Sequence, residues 1–320
     1  MQARGLVPPG TLTVRVAVAI VGFRNPGDIV RCLDALSRST WREFEVVVCE
    51  NGGAEWAARL SSEVPARLPA GQPVRVIDAG ANLGYAGGVN RAMAAAPDAD
   101  AWWILNPDTE PQAGALEALV NRLQSGDCDA VGGTIYLPGQ TVQAHGGRWR
   151  RWLARAVSMG YGASLADHVD SRAVERSLSY LSGACMLVSR RFLETTGPMR
   201  EEYFLYCEEV EWCLRATGRG MRLGFAPDAQ VLHRSGATTG AHEAVRLRPK
   251  TPIYLDERNK MLVTRDCFPA LLPVAAASAF ALALLRFARK GAWRQLGYAL
   301  EGWRDGLLNR RGPPSWISVA

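Results

Sequence analysis

The stretch A-W-W-I-L-N-P-D-T, Ala101 to Thr109, decides how the chain is to be folded. Five apolar residues in a row show no polar alternation, so the run reads as a strand buried on both faces. N-P-D-T then closes it in a turn that sets a carboxylate, Asp108, at the carboxyl end of the strand. Working outward, V-R-V-A-V-A-I-V-G-F (Val14 to Phe23), F-E-V-V-V-C-E-N-G-G (Phe44 to Gly53) and V-R-V-I-D-A-G (Val74 to Gly80) repeat the pattern of an apolar run ended by a polar turn. Between them D-I-V-R-C-L-D-A-L and N-R-A-M-A-A-A have helical spacing. Strands alternating with helices predict an α/β fold, a mostly parallel sheet with helices on both faces. Ala130 to Tyr136, Tyr180 to Val188 and Met221 to Pro227 read as further strands, while the intervening stretch with Trp149, Trp152 and four arginines reads as a loop or insertion near the site.

In open α/β sheets the ligand lies beyond the carboxyl ends of the strands. Here those ends carry Glu50 and Asn51, Asn82, then Asn106 and Asp108, which the topology gathers into one crevice. Asp108 reads either as a hydrogen-bonding turn residue or as a hard ligand that holds Mg²⁺ or Mn²⁺ against a diphosphate. N-L-G-Y-A-G-G-V-N-R-A, Asn82 to Ala92, is glycine-rich and precedes a helix, so its backbone can approach a ligand closely or simply make a tight connection. His233, one of four histidines, follows an apolar run and is either structural or a metal ligand beside the carboxylates.

F-L-Y-C-E-E-V-E-W-C-L-R, Phe204 to Arg215, places three glutamates among residues that ordinarily go inside, and an unpartnered buried carboxylate is costly. On a helix, Glu208, Glu211 and Arg215 share one face and Glu209 points elsewhere. That spacing predicts a Glu211–Arg215 ion pair at i, i+4 and leaves Glu209 to act as a base.

Composition sets the outer limits. With 48% hydrophobic and 21% charged residues, the 320-residue chain is neither disordered nor an all-membrane protein. Seven scattered cysteines without a C-x-x-C pair suit a reducing compartment. No basic-then-apolar leader is visible at the N-terminus, so a cytoplasmic location is expected. Cys267 to Leu285 contains no charge over nineteen residues, at the short edge of a membrane span, and its alanine content and two prolines favour a helix lying on the membrane or packed against the protein. From Arg286 to Arg311, seven Lys and Arg oppose only Glu301 and Asp305. Beside an uncharged segment, that excess points to an anionic leaflet rather than to nucleic acid.

Taken in order, C-E-N-G-G, N-L-G-Y-A-G-G-V-N, N-P-D-T, G-P-M-R-E-E-Y-F-L-Y-C-E-E-V-E-W-C-L-R and His233 resemble the inverting family 2 glycosyltransferases of the GT-A fold, and especially their rhamnosyltransferase-like branch. The resemblance implies a nucleotide-sugar domain over residues 1–250 and a C-terminal helical segment, membrane-associating or packing, over 251–320. It implies Glu209 as catalytic base, Asp108 and His233 as ligands of Mn²⁺ or Mg²⁺, and Glu50, Asn82, Gly84, Asn90, Asn106 and Asp108 as the donor site. The expected activity is transfer of a sugar, rhamnose among the candidates, from a nucleoside diphosphate to a cell-envelope glycan or lipid-linked acceptor at the inner membrane face. The chain departs from the family pattern at Phe23-Arg24, where tyrosine and asparagine are usual, and has Glu for Asp at positions 50, 209 and 211. Those departures motivate a second reading, a catalytically weak glycan-binding or scaffold subunit. The G-x-G-x-x-G fingerprint of dinucleotide enzymes does not follow the first strand.

Overall fold

The structure is a computed structural model that describes residues 14–234 and 244–318. Its centre is a sheet in which β1 (Val16–Gly22), β2 (Phe44–Glu50), β3 (Val74–Asp78) and β4 (Ala101–Leu105) run parallel in the order β3-β2-β1-β4. Pairing sets Gly22 against Glu50 and Glu50 against Asp78, so three carboxyl ends finish level with one another. Beyond β4 the sheet becomes mixed: β10 (Cys185–Ser189) is antiparallel to both β4 and β6 (Ala130–Leu137), and β11 (Leu223–His233) runs parallel to β6. Short strands β5 (Thr109–Pro111) and β7 (Thr141–Ala144) add antiparallel edges to β11 and β6.

Both faces are buried, which explains the uninterrupted apolar runs. Val16, Val18 and Ile20 enter one core with α1 (Pro26–Ser37) and α4 (Ala115–Gln124). Ala17, Ala19 and Val21, pointing the other way, enter the second core with α3 (Gly84–Ala94) and α7 (Glu208–Gly218). Trp102 and Trp103 divide between these cores by the same alternation. Helices α2 (Ala54–Glu63), α5 (Ser171–Ser177) and α6 (Arg190–Thr196) complete the layers before α7.

The arginine- and tryptophan-rich stretch read as a loop is instead a hairpin, β8 (Gly147–Arg150) and β9 (Arg155–Ser158). The expectation missed it because only Trp149 and Ala154 are buried around the turn, leaving little apolar alternation to read.

C-terminal helices α8 (Lys250–Cys267), α9 (Leu272–Ala288) and α10 (Trp293–Leu307) pack as a unit. At Gly302 a Cβ would collide with the carbonyl of Tyr254, so the α8–α10 crossing is closer than any side chain allows. Met261, Leu262 and Val263 of α8 enter the same core as Trp212 and Phe192, which ties this segment to the body of the fold.

Candidate active site

A cleft of about 230 Å³ opens beyond the sheet, and Tyr85, Asn106, Gln143, Glu208, Glu209 and His233 are among its lining residues. Strand register brings the histidine there. β11 pairs with β5 so that His233 lies opposite Thr109, the residue after Asp108. His233 Nε2 therefore stands 3.2 Å from Asp108 Oδ1, while His233 Nδ1 lies 2.8 Å from Gln143 Oε1. An amide oxygen only accepts, so Nδ1 carries the proton and donates it to Gln143. The lone pair of Nε2 then faces a carboxylate oxygen, and two acceptors at that distance repel unless a cation or a second proton comes between them. An imidazole and a carboxylate so arranged fit Mn²⁺ or Mg²⁺ as a donor set. These are two donors and not a complete metal site, since no cluster of three or more His, Cys, Asp and Glu able to hold a metal occurs among the described residues.

The glutamates at the start of α7 line the same cleft as His233. Burial pushes the Glu209 carboxyl up to about 7, against the pull of hydrogen bonds from the backbone at Glu209 and Val210. Burial, and then the charge of Glu209, hold Glu208 well above the usual carboxylate range. The two adjacent carboxyls therefore resist carrying two charges at once, and Glu209, at about 7, sits at the balance point expected of a general base. The helical-wheel expectation grouped Glu208 with Glu211. Instead Glu208 lines the cleft with Glu209, because α7 begins at Glu208 and the first residue of the helix is turned by the preceding loop. Glu208 Oε2 is buried without a hydrogen-bond partner among the described residues. Glu211 is elsewhere, 1% exposed, held bidentately by Arg215 at 2.8 and 3.1 Å and approached by Arg200 at 3.3 Å.

The loop before α7 is strained and braced. Phe204, Tyr206 and Cys207 have φ of 67°, 74° and 65°, left-handed values that cost non-glycine residues of order 1–3 kcal/mol each. Asn259 of α8 answers with one amide group that donates to the carbonyls of Tyr203, Leu205 and Tyr206 at 2.9, 2.9 and 2.7 Å. Arg258, fully buried, donates to the Tyr203 carbonyl at 2.9 Å. From the sheet side, the Tyr85 amide donates to the Phe204 carbonyl at 2.7 Å. Gly84 makes that contact possible: its φ is 71°, and a Cβ would strike the Phe204 carbonyl.

The remaining expected residues lie at different points of the crevice. Glu50 is buried at the end of β2, its Oε1 accepting from the backbone amides of Arg24 at 3.0 Å and Gly52 at 2.7 Å. Asn82 Oδ1 accepts from the Gly84 amide at 3.2 Å, and Asn51 donates to the Gly84 carbonyl at 2.7 Å, so the glycine-rich turn is clamped from both sides. Asn106 lines the cleft itself. Asn90 does not reach it. Its Nδ2 donates to the Met199 carbonyl and to Glu201 and its Oδ1 accepts from the Met199 amide, all at 2.9–3.0 Å, so the side chain is spent stapling α3 to the segment ahead of the strained loop. Sequence reasoning missed Glu208, Gln143, Arg258 and Asn259. The adjacent acids at 208 and 209 and the polar run D-E-R-N-K at 256–260, set between the apolar runs I-Y-L and M-L-V, were the available signals for three of them.

A mixed, mostly parallel sheet with its acids and a histidine–carboxylate pair beyond the strand ends defines an α/β enzyme of the GT-A type. Mannosyltransferase PcManGT from Pyrobaculum calidifontis, solved with GDP-Man and Mn²⁺, has the same fold: TM-score 0.56 at 16% identity, over 97% of this chain and 91% of that one. The model of Glycosyl transferase family 2 matches residues 17–197, and the chain belongs to that family; it is a glycosyltransferase. It is 28% identical over 270 residues to the N-acetylglucosaminyl-diphospho-decaprenol L-rhamnosyltransferase of Mycobacterium tuberculosis, covering 78% of this chain and 86% of the relative. It is 22% identical over 316 residues to the low-salt glycan biosynthesis hexosyltransferase Agl10 of Haloferax volcanii, covering 95% and 94%.

Proposed function

We propose that this glycosyltransferase moves a sugar, rhamnose in the first instance, from a nucleoside diphosphate donor to a saccharide carried on a lipid diphosphate, with inversion at the anomeric carbon. One observation carries the mechanism: Glu209, a carboxyl poised near 7, lines the same small cleft as His233, which is paired with Asp108. Glu209 accepts the proton of the acceptor hydroxyl as that oxygen attacks the anomeric carbon. Burial beside it disfavours ionisation of Glu208, which limits the second negative charge that would oppose the base. Asp108 and His233 would hold Mn²⁺ or Mg²⁺, whose chemistry there is to offset the charge gathering on the departing diphosphate. Glu50, fixed by two backbone amides, serves the nucleobase end, and the clamped turn at Asn82 and Gly84 with Asn106 borders the sugar diphosphate. The M. tuberculosis relative, by its name, acts on a saccharide–diphosphate–decaprenol, which supports the choice of acceptor.

A lipid acceptor requires the enzyme to meet a membrane. Among the described residues one helix, Pro269–Ala288, is long and apolar enough to cross one, with mean hydropathy 1.9. Val274 and Leu285 are about half exposed on it, and Trp293 beyond it is 67% exposed. This face, followed by Arg286, Arg289, Lys290 and Arg294, supports peripheral attachment to an anionic leaflet at the cytoplasmic side.

The test is direct. Purified full-length protein, Mn²⁺ and N-acetylglucosaminyl-diphospho-prenol are incubated with a panel of nucleoside diphosphate sugars, and the lipid product is weighed by mass spectrometry. Addition of one deoxyhexose from dTDP-rhamnose is expected. No transfer from any donor by protein that binds nucleoside diphosphate would overturn the reading.

A further inference from the structure

The hairpin that the transfer chemistry leaves unused forms one wall of a second concavity. This groove, about 610 Å³, runs between β8–β9 and helices α8 and α9. Its walls differ in character. Leu153 from the hairpin turn and Ala279, Leu282, Ala283 and Leu285 from α9 are apolar, whereas Arg155, Arg286 and Arg289 stand at its edges. Two acids also line it, with Lys260 at 2.6 Å from Asp256 and 3.1 Å from Glu257, so that four cations, Arg155, Lys260, Arg286 and Arg289, stand against two carboxylates. Arg286 lies 3.8 Å from Glu257, while Arg155 and Arg289 make no ion pair among the described residues. The balance in the groove favours an anion.

A smaller pocket of about 150 Å³ adjoins both the groove and the catalytic cleft. That pocket shares Asp256 and Arg286 with the groove and shares Tyr206 with the catalytic cleft. Arg248 lines it as well, and burial and the neighbouring charge of Arg286 hold this guanidinium below its ordinary value. Outward from Glu209, a molecule therefore meets a polar cleft, the ring of Tyr206, a pair of arginines, and then an apolar channel. That channel ends on the exposed face of α9, where Leu284 and Leu285 and, on the hairpin, Trp152 lie open. The sequence of environments matches, in order, a sugar hydroxyl, a sugar ring, a diphosphate and a hydrocarbon chain.

We propose that this path is the acceptor site: Arg248, Arg286 and Arg289 bind the diphosphate of the lipid-linked acceptor, and Leu153, Leu282 and Leu285 hold its first isoprene units. This rests on the proposed transfer to a lipid diphosphate and assigns it a place. The guanidinium fork matches phosphate oxygens. A channel walled by the membrane-facing helix lets the chain pass from the leaflet to the cleft without its apolar part crossing water.

Farnesyl diphosphate, titrated calorimetrically into full-length protein with saturating dTDP to block the donor site, tests the assignment. Wild type is expected to bind it more tightly than dimethylallyl diphosphate. The exposed double substitution Arg286→Gln/Arg289→Gln should weaken farnesyl diphosphate tenfold or more and leave the affinity for dTDP unchanged. Leu285→Asp should weaken farnesyl diphosphate and leave dimethylallyl diphosphate within about threefold. Equal affinity for the two prenyl diphosphates in wild type, or equal farnesyl diphosphate affinity in wild type and the double variant, would overturn it. Failure of the sugar-transfer reading would look different: farnesyl diphosphate would bind with this residue dependence, and no nucleoside diphosphate would bind at all.

Discussion

Replacing Glu209 by glutamine keeps the shape of the side chain and removes its ability to take a proton, and two opposite effects should follow from the one change. Catalysis should fall by about 10²–10⁴-fold in turnover, the usual contribution of a general base, with donor affinity nearly intact. Stability should rise. The carboxyl is held at about 7 in the fold against 4.5 for an ordinary glutamate. Between those values the native state keeps a proton that the unfolded chain has released, so native stability falls as pH rises through that window. The cost is complete above about pH 7, where 2.5 units correspond to at most about 3 kcal/mol. Glutamine carries no such cost, so Glu209→Gln should match wild type below pH 4.5 and exceed it above pH 7. For a chain of this length that is an increase of about 4 °C in Tm. Scanning calorimetry from pH 4 to 8 reads the stability, and initial rates over the same range read the base. Wild-type kcat/KM should rise with pH to a plateau with a midpoint near 7, because the ionised form is the active one. Full turnover in Glu209→Gln, or a Tm difference that does not change with pH, would refute the reasoning.

Asp108→Ala should abolish the Mn²⁺ dependence of donor binding, and His233→Ala should weaken it, both measured by titration of nucleoside diphosphate with and without the ion; unchanged dependence in both would remove the metal assignment. Glu211→Gln should act on the fold rather than the reaction, because it takes from Arg215 its buried partner and from Arg200 one of two, at a cost of about 3 kcal/mol in urea unfolding with KM for the donor unaltered. Asn259→Ala removes three hydrogen bonds to the loop that leads into α7, so kcat should drop more than KM rises, and proteolysis near Tyr206 should speed up.

The sheet was legible because its strands are buried on both faces, so runs such as Val16–Gly22 and Ala101–Leu105 carry no competing helical period. The candidate site was legible where its polar residues sit on strand ends: Asp108 and His233 meet through the pairing of β5 and β11. Less of it could be read where the backbone departs from regular geometry. Three left-handed residues between Phe204 and Cys207 turn Glu208 into the cleft, which helical spacing alone places on the face of Glu211. Asn90 shows the converse: its place in a glycine-rich motif suggested a ligand contact, yet the complementary backbone groups of Met199 engage the whole amide. Long-range partners of this kind, like Asn259 under the loop that leads into α7, are separated by fifty residues or more and leave no periodic signature.

Central to the account is a single displacement driven by Glu209, and the configuration of the product tests it most directly. Proton NMR of the lipid-linked saccharide made by the wild-type protein gives the anomeric configuration of the transferred sugar, to be set against that of the sugar in the donor. The account predicts the opposite configuration in all of the first-formed product, with none detectable when Glu209→Gln replaces wild type over the same interval. Retained configuration would mean that a group on the protein attacks the sugar first, and would contradict the role of Glu209 as the base of a single displacement.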